Sequence, residues 1–124
     1  MDFGNVAVSG TAGTVKMNVD GTREKTGGVT LPVVGGSFKA ASFDVTGLAG
    51  STYSISIPTA SIDATSASLP VMAVDTWTSN PAVGGTLDIQ GKQTIKVGAT
   101  LHVGANQPAA QYTTPAFQVT VNYN

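Results

Sequence analysis

Apolar and polar residues alternate with a period of two along most of this chain. The last segment shows it most clearly: Phe117, Val119, Val121 and Tyr123 fall on one face, and Gln118, Thr120, Asn122 and Asn124 on the other. A period of two is the mark of a strand buried on one side only. Similar runs occur at Asn5–Val8, Thr14–Val19, Val29–Val33, Ser42–Thr46, Thr52–Ile57, Val71–Thr78, Gly85–Ile89, Thr94–Val103 and Ala116–Tyr123. The inward residues expected from them include Val15 and Met17, Phe43 and Val45, Tyr53 and Ile55, and Ile95, Val97, Ala99, Leu101 and Val103. Short strands at such intervals predict an all-β antiparallel sandwich of about seven to nine strands.

The breaks between these runs carry turn residues. Asp20-Gly21 is the strongest hairpin signal. Gly27-Gly28, Gly35-Gly36, Ala49-Gly50, Gly84-Gly85 and Gly91-Lys92 read as further turns, and most prolines stand at segment ends. Pro32 lies inside a run, which predicts an edge or a bulge there. Ile62–Leu69 reads as a loop crossing between sheets. There is no linker-like stretch and no repeat, so residues 1–124 are read as one domain.

Composition narrows the function classes. Charged residues are 10% of the chain and the net charge is −1. The few cations are scattered, which predicts neither nucleic-acid binding nor attachment to an anionic membrane. No apolar run approaches the roughly 20 residues of a membrane-spanning helix. With no cysteine, disulfides and thiolate metal sites are excluded. The opening Met1-Asp2-Phe3-Gly4 lacks the basic and apolar regions of a signal peptide.

Chemistry is sparse. His102 is the single histidine and alternates outward beside Leu101 and Val103, so it reads as a solvated strand residue. The carboxylates Asp2, Asp20, Glu24, Asp44, Asp63, Asp75 and Asp88 form no calcium-loop spacing, and neither a nucleophile elbow nor a phosphate loop is present. No enzyme activity, cofactor or metal is expected. Trp77, with Asn80 three residues on, has two readings: a cap on the core, or a platform on which a sugar stacks. Parity does not separate them, because both faces of Val71–Thr78 are mixed. Tyr112 reads as a residue fixing a sandwich corner through its hydroxyl.

A set of phrases carries a resemblance. They are Asp2-Phe3-Gly4-Asn5-Val6, then Asp20-Gly21-Thr22-Arg23 followed by Gly27-Gly28-Val29, then Ala41-Ser42-Phe43-Asp44-Val45-Thr46-Gly47 and Thr52-Tyr53-Ser54-Ile55. Val97-Gly98-Ala99-Thr100-Leu101, Val103-Gly104-Ala105-Asn106-Gln107 and the closing Phe117-Gln118-Val119-Thr120-Val121-Asn122-Tyr123 complete it. In this order they resemble an uncharacterised family of secreted bacterial β-domains, itself similar to the spore coat protein U domain and to the major pilins of archaic chaperone–usher fibres. The resemblance implies an immunoglobulin-like sandwich, export to the periplasm or cell surface, and a structural role in a pilus or coat. It implies an incomplete sandwich whose groove takes a strand from a neighbouring copy, and before assembly one from a periplasmic chaperone. On this reading Phe117, Val119, Val121 and Tyr123 line one rim of the groove, and the segment of Phe3 and Val6 forms the other.

The chain departs from that pattern in two places. Relatives usually carry an extended segment ahead of the Asp-Phe-Gly motif, whereas this chain opens on it. A missing first strand and an exposed sheet edge are therefore expected. Many spore-coat-U-like pilins also carry a disulfide bridge, and this chain has no cysteine. The competing expectation is a carbohydrate-binding or adhesive module of the cell surface, with Trp77 and Asn80 at its site.

Overall fold

The computed structural model describes residues 1–31, 38–65, 71–107 and 110–124, with backbone only at 110 and 111. Among the described residues there are ten strands: β1 (Asp2–Met17), β2 (Arg23–Thr30), β3 (Ala41–Thr46), β4 (Thr52–Ser56), β5 (Ile62–Ala64), β6 (Met72–Asn80), β7 (Gly84–Thr86), β8 (Lys92–Val103), β9 (Ala110–Thr113) and β10 (Thr120–Tyr123). Every pairing is antiparallel. One sheet runs β2-β1-β8-β6-β5, with β3 also on β8 and β9 also on β1; the other runs β10-β4-β7. The molecule is an all-β, two-sheet antiparallel sandwich.

β1 contributes two stretches to the larger sheet. Its first residues pair with β9, while Gly13–Met17 lie between β2 and β8. The fourteen steps from Phe3 to Met17, fully extended, would span roughly 45 Å. Yet Arg23, the register partner of Met17, donates from Nη1 to the carbonyls of Phe3 at 2.9 Å and Asn5 at 3.1 Å. The strand therefore turns back over itself, and the break in its register with β2 falls between Val8 and Gly13. Gly27 and Gly28, expected to form a turn, instead lie within β2 against this bend. A Cβ on Gly27 would stand 2.3 Å from the Ala12 carbonyl oxygen, and one on Gly28 would stand 2.2 Å from that of Thr11.

The doubling-back of β1 creates the first of two cores. Phe3 and Val6 from its start close on Val15 and Met17 from its end, with Val74, Leu101 and Tyr112. The second core holds Val45, Tyr53, Leu87, Ile95 and Val97 under the three-stranded sheet. β8 serves both: Ala99, Leu101 and Val103 enter the first core, and Ile95 and Val97 the second. All five expected inward residues of β8 are buried. Each large aliphatic side chain so removed from water contributes about 1.5–3 kcal/mol.

Two β-bulges change which residues face inward. Asp2 and Asn5 of β1 pair with Thr113 and Gln111, so β1 carries one extra residue there. Gly4 takes φ +70°, and its N–H is received by the Asp2 carboxylate at 2.8 Å. The extra residue brings both Phe3 and Val6 onto the inner face. In β6, Asp75 and Thr78 pair with Thr100 and Gly98, again with one residue to spare. Thr76 lies at this shift with φ +53°, an uncommon conformation for a β-branched residue.

Other expectations need correcting. Asn5–Val8 and Thr14–Val19 are parts of one element. Gly84-Gly85 lies in β7 instead of a turn; of the expected loop Ile62–Leu69, Ile62–Ala64 forms β5, and residues 66–69 lie outside the described residues. The last ladder starts only at Thr120, so Ala116–Val119 runs on without a strand partner among the described residues. Tyr112 belongs to a strand of its own, β9; it is fully buried, and its hydroxyl receives the Gln107 amide at 3.4 Å. The Asp20-Gly21 hairpin is as expected, closed by Asn18 N–H to Thr22 O at 2.9 Å and Gly21 N–H to Asn18 O at 3.0 Å. Pro32, Gly35-Gly36, Pro70 and Pro108 lie outside the described residues.

Candidate functional site

The strand pattern that predicted the last segment also creates its exposed edge. β10 ends its sheet, and among the described strands it pairs with β4 alone. Phe117, Val119 and Val121 turn toward the second core but are only half-buried there. They form an apolar row beside a strand edge whose outer backbone groups face no ladder among the described residues.

Two grooves flank the start of this segment, each of about 440 Å³. One runs toward β4 and β5 and includes Ser56, Ile57 and Ile62. The other contains no residue of β4; Met1 and Lys39–Phe43 face Thr114–Phe117 across it. Phe43 meets Phe117 edge-on at that point, with ring centroids 6.0 Å apart at 74°. The wall opposite Phe117 is thus built from Met1 and the approach to β3.

The structure does not bring all the expected groove residues together. Phe3 and Val6 are 0% and 2% exposed and belong to the first core, away from this groove. Tyr123 is 56% exposed, and its hydroxyl donates to the Thr46 carbonyl, turning the ring toward Gly47. Of the missed wall residues, Phe43 reads as inward from its own run, but nothing local places it, Met1 or Ala41 at this groove, because only the long-range bridge Asp2–Lys39 and the β3–β8 pairing bring them there.

Trp77 has a structural role. Because of the bulge at Thr76, it falls in phase with inward-facing Ser79, and it packs against both cores. Its indole N–H donates to the Ala60 carbonyl at 3.0 Å, and its ring lies on Phe117. Asn80 is exposed on the opposite face of β6, so the two residues do not form one platform. In the second core the Tyr53 hydroxyl and Gln93 Oε1 are buried without a hydrogen-bond partner among the described residues, and burial raises the Tyr53 hydroxyl above its ordinary pKa.

His102 has a partner after all. Its Nε2 lies 2.6 Å from Asp75 Oδ1 across β8 and β6, both side chains being well exposed. The hydrogen bond from His102 is the main reason that Asp75 sits below the usual aspartate range. Thr76 adds a hydroxyl donor to the same oxygen at 3.0 Å. Asp20 is likewise lowered, mainly by the Thr22 hydroxyl within the hairpin. Among the described residues no group of three or more His, Cys, Asp or Glu is placed to hold a metal ion, and no helix is long and apolar enough to cross a membrane.

Fold and edge together define a two-sheet antiparallel β-sandwich whose terminal strand, paired on one side with β4, has no strand on its outer side among the described residues. Residues 1–123 match the family described as Domain of unknown function (DUF4402), and the chain belongs to that family. No curated protein and no solved structure matches it.

Proposed function

We propose that this protein is a structural subunit of a bacterial surface fibre or coat, whose copies join when one donates an extended strand to the free edge of β10 in the next. The observation that carries this reading is the edge itself. On its outer side β10 has no strand partner among the described residues, and the row Phe117, Val119 and Val121 lies half-buried beside that edge. An incoming strand of alternating apolar residues satisfies both needs, with backbone hydrogen bonds to the edge and alternate side chains in the groove. Left bare, such an edge invites uncontrolled pairing. The same argument supports a secreted or periplasmic location, with a chaperone strand covering the edge until assembly and an usher passing subunits on. The family phrases quoted from the sequence point the same way. No observation favours a sugar platform at Trp77, whose ring and N–H are already engaged.

The test is binding of a 12-residue peptide alternating Val and Thr, followed by amide hydrogen exchange. Saturable binding that slows exchange at residues 117–123 is expected, and a peptide of the same composition with its valines clustered should not compete. Absence of binding at millimolar peptide, or protection elsewhere on the sandwich, rules the reading out.

A further inference from the structure

Three of the chain's six cationic residues converge on one place. A cleft of about 470 Å³ lies between the β1–β2 hairpin and the approach to β3, and Phe38, Lys39, Ser42, Asn80 and Lys96 are among its walls. Lys96 stands at the centre of a cross-strand row, since its register partners are Ser42 on β3 and Asn80 on β6. All three are exposed on the outer face. Such partners have Cβ atoms about 5 Å apart. The row therefore presents a hydroxyl, an ammonium and an amide in order, over roughly 10 Å.

The surroundings add charge and an apolar surface. Lys39 is fixed by backbone hydrogen bonds with Asp2 at 2.8 and 3.1 Å. Phe38 is 46% exposed, and the Arg23 guanidinium lies 3.9 Å from its ring centroid. Among the described residues neither Lys39 nor Lys96 forms an ion pair. Asp20 also lines the cleft, but its Oδ1 is engaged by the Thr22 N–H at 2.9 Å and hydroxyl at 2.6 Å.

We infer that this cleft binds an acidic sugar, a pyranose bearing a carboxylate. Lys96 and Lys39 receive the carboxylate, Ser42 and Asn80 hydrogen-bond ring hydroxyls, and Phe38 packs against the C–H face of the ring. A simple anion would use the lysines and leave the amide, hydroxyl and ring idle. A neutral sugar would leave the two exposed lysines hydrated and without a part in binding. The mixture of the four kinds of group favours a ligand that carries all their complements. The site is independent of the β10 edge, so its failure and the failure of strand donation are separate results.

The test follows backbone amide shifts of the folded protein during titration with sodium glucuronate, with glucose, sodium acetate and a short glutamate-rich peptide as comparisons. Glucuronate should shift Phe38, Lys39, Ser42, Asn80 and Lys96 with millimolar affinity, weakened as salt screens the lysines. Glucose and acetate should each bind at least about tenfold more weakly, and Lys96→Gln should cost at least about fivefold for glucuronate while leaving strand-peptide binding at β10 unchanged. Silence toward glucuronate up to about 50 mM overturns the proposal. Acetate binding as well as glucuronate reduces the site to a non-specific carboxylate contact and also overturns it. Tighter binding of the glutamate peptide makes the ligand a protein and overturns it as well.

Discussion

Trp77 lies against Phe117, their ring centroids 4.9 Å apart and their planes tilted by 49°. Phe117 meets Phe43 as well, so three aromatic rings from β6, β3 and the C-terminal segment form a chain of contacts. This clamp holds the stretch before Thr120, where no ladder does so among the described residues. The groove between Thr114–Phe117 and Lys39–Phe43 depends on it, because Phe117 is at once part of the clamp and part of the groove wall.

Trp77→Ala should therefore destabilise the whole sandwich. A half-buried Trp that bridges two cores is expected to cost about 2–3 kcal/mol, toward the low end of aromatic truncations. Equilibrium urea unfolding measures it, and Trp77→Phe should recover part of the loss. The midpoint should fall with little change in slope. An unchanged midpoint would return Trp77 to the role of a ligand platform.

The sequence showed the core more plainly than the groove. In Thr94–Val103 every second residue is apolar, and β8 buries all of them, because a strand without bulges keeps its parity. Trp77 could not be assigned from parity because the bulge at Thr76 inserts one residue between two regular stretches. The bulge at Gly4 hid the fate of Phe3 and Val6 in the same way. Gly27-Gly28 and Gly84-Gly85 resembled turns, yet they are sites of close backbone approach, a demand imposed by distant strands. β5 and β9 are too short to show a period, and their partners β6 and β1 give them their structure. The apolar row Phe117, Val119 and Val121 was legible locally, whereas the groove wall opposite Phe117 arises from pairings about 40 residues and more apart in the chain.

Stability should fall in acid partly through Asp75. Its folded pKa is depressed by the hydrogen bond from His102, so between its folded and unfolded values the unfolded chain binds more protons. Its contribution is complete above the ordinary aspartate range near 4 and disappears as pH falls through the lowered folded value. Because both partners are exposed, it amounts to less than about 1 kcal/mol. Melting temperatures of wild type and Asp75→Asn should differ at pH 6 and converge toward pH 2. A constant gap across that range would show that the carboxylate's ionisation plays no part.

Deleting Thr76 should leave the fold intact. Asp75 already faces Thr100, and Thr78 faces Gly98. Without Thr76, Trp77 would face Ala99, and Met72, Val74, Trp77 and Ser79 would alternate inward in an unbroken ladder. The deletion removes a β-branched residue with φ +53°, a conformation that costs on the order of 1–3 kcal/mol. It also removes an exposed hydrogen bond from the Thr76 hydroxyl to Asp75, of smaller value. Bulges increase local twist, so a ladder without one is flatter at that point. Unfolding should show a stability equal to wild type or higher by up to about 1 kcal/mol, with Trp77 fluorescence still that of a partly buried indole. A loss of more than about 2 kcal/mol would mean that the added twist is needed to bring Trp77 onto Phe117. Gained stability together with weaker strand-peptide binding would give the bulge a different purpose, that of setting the groove wall for an incoming strand at the expense of the isolated domain.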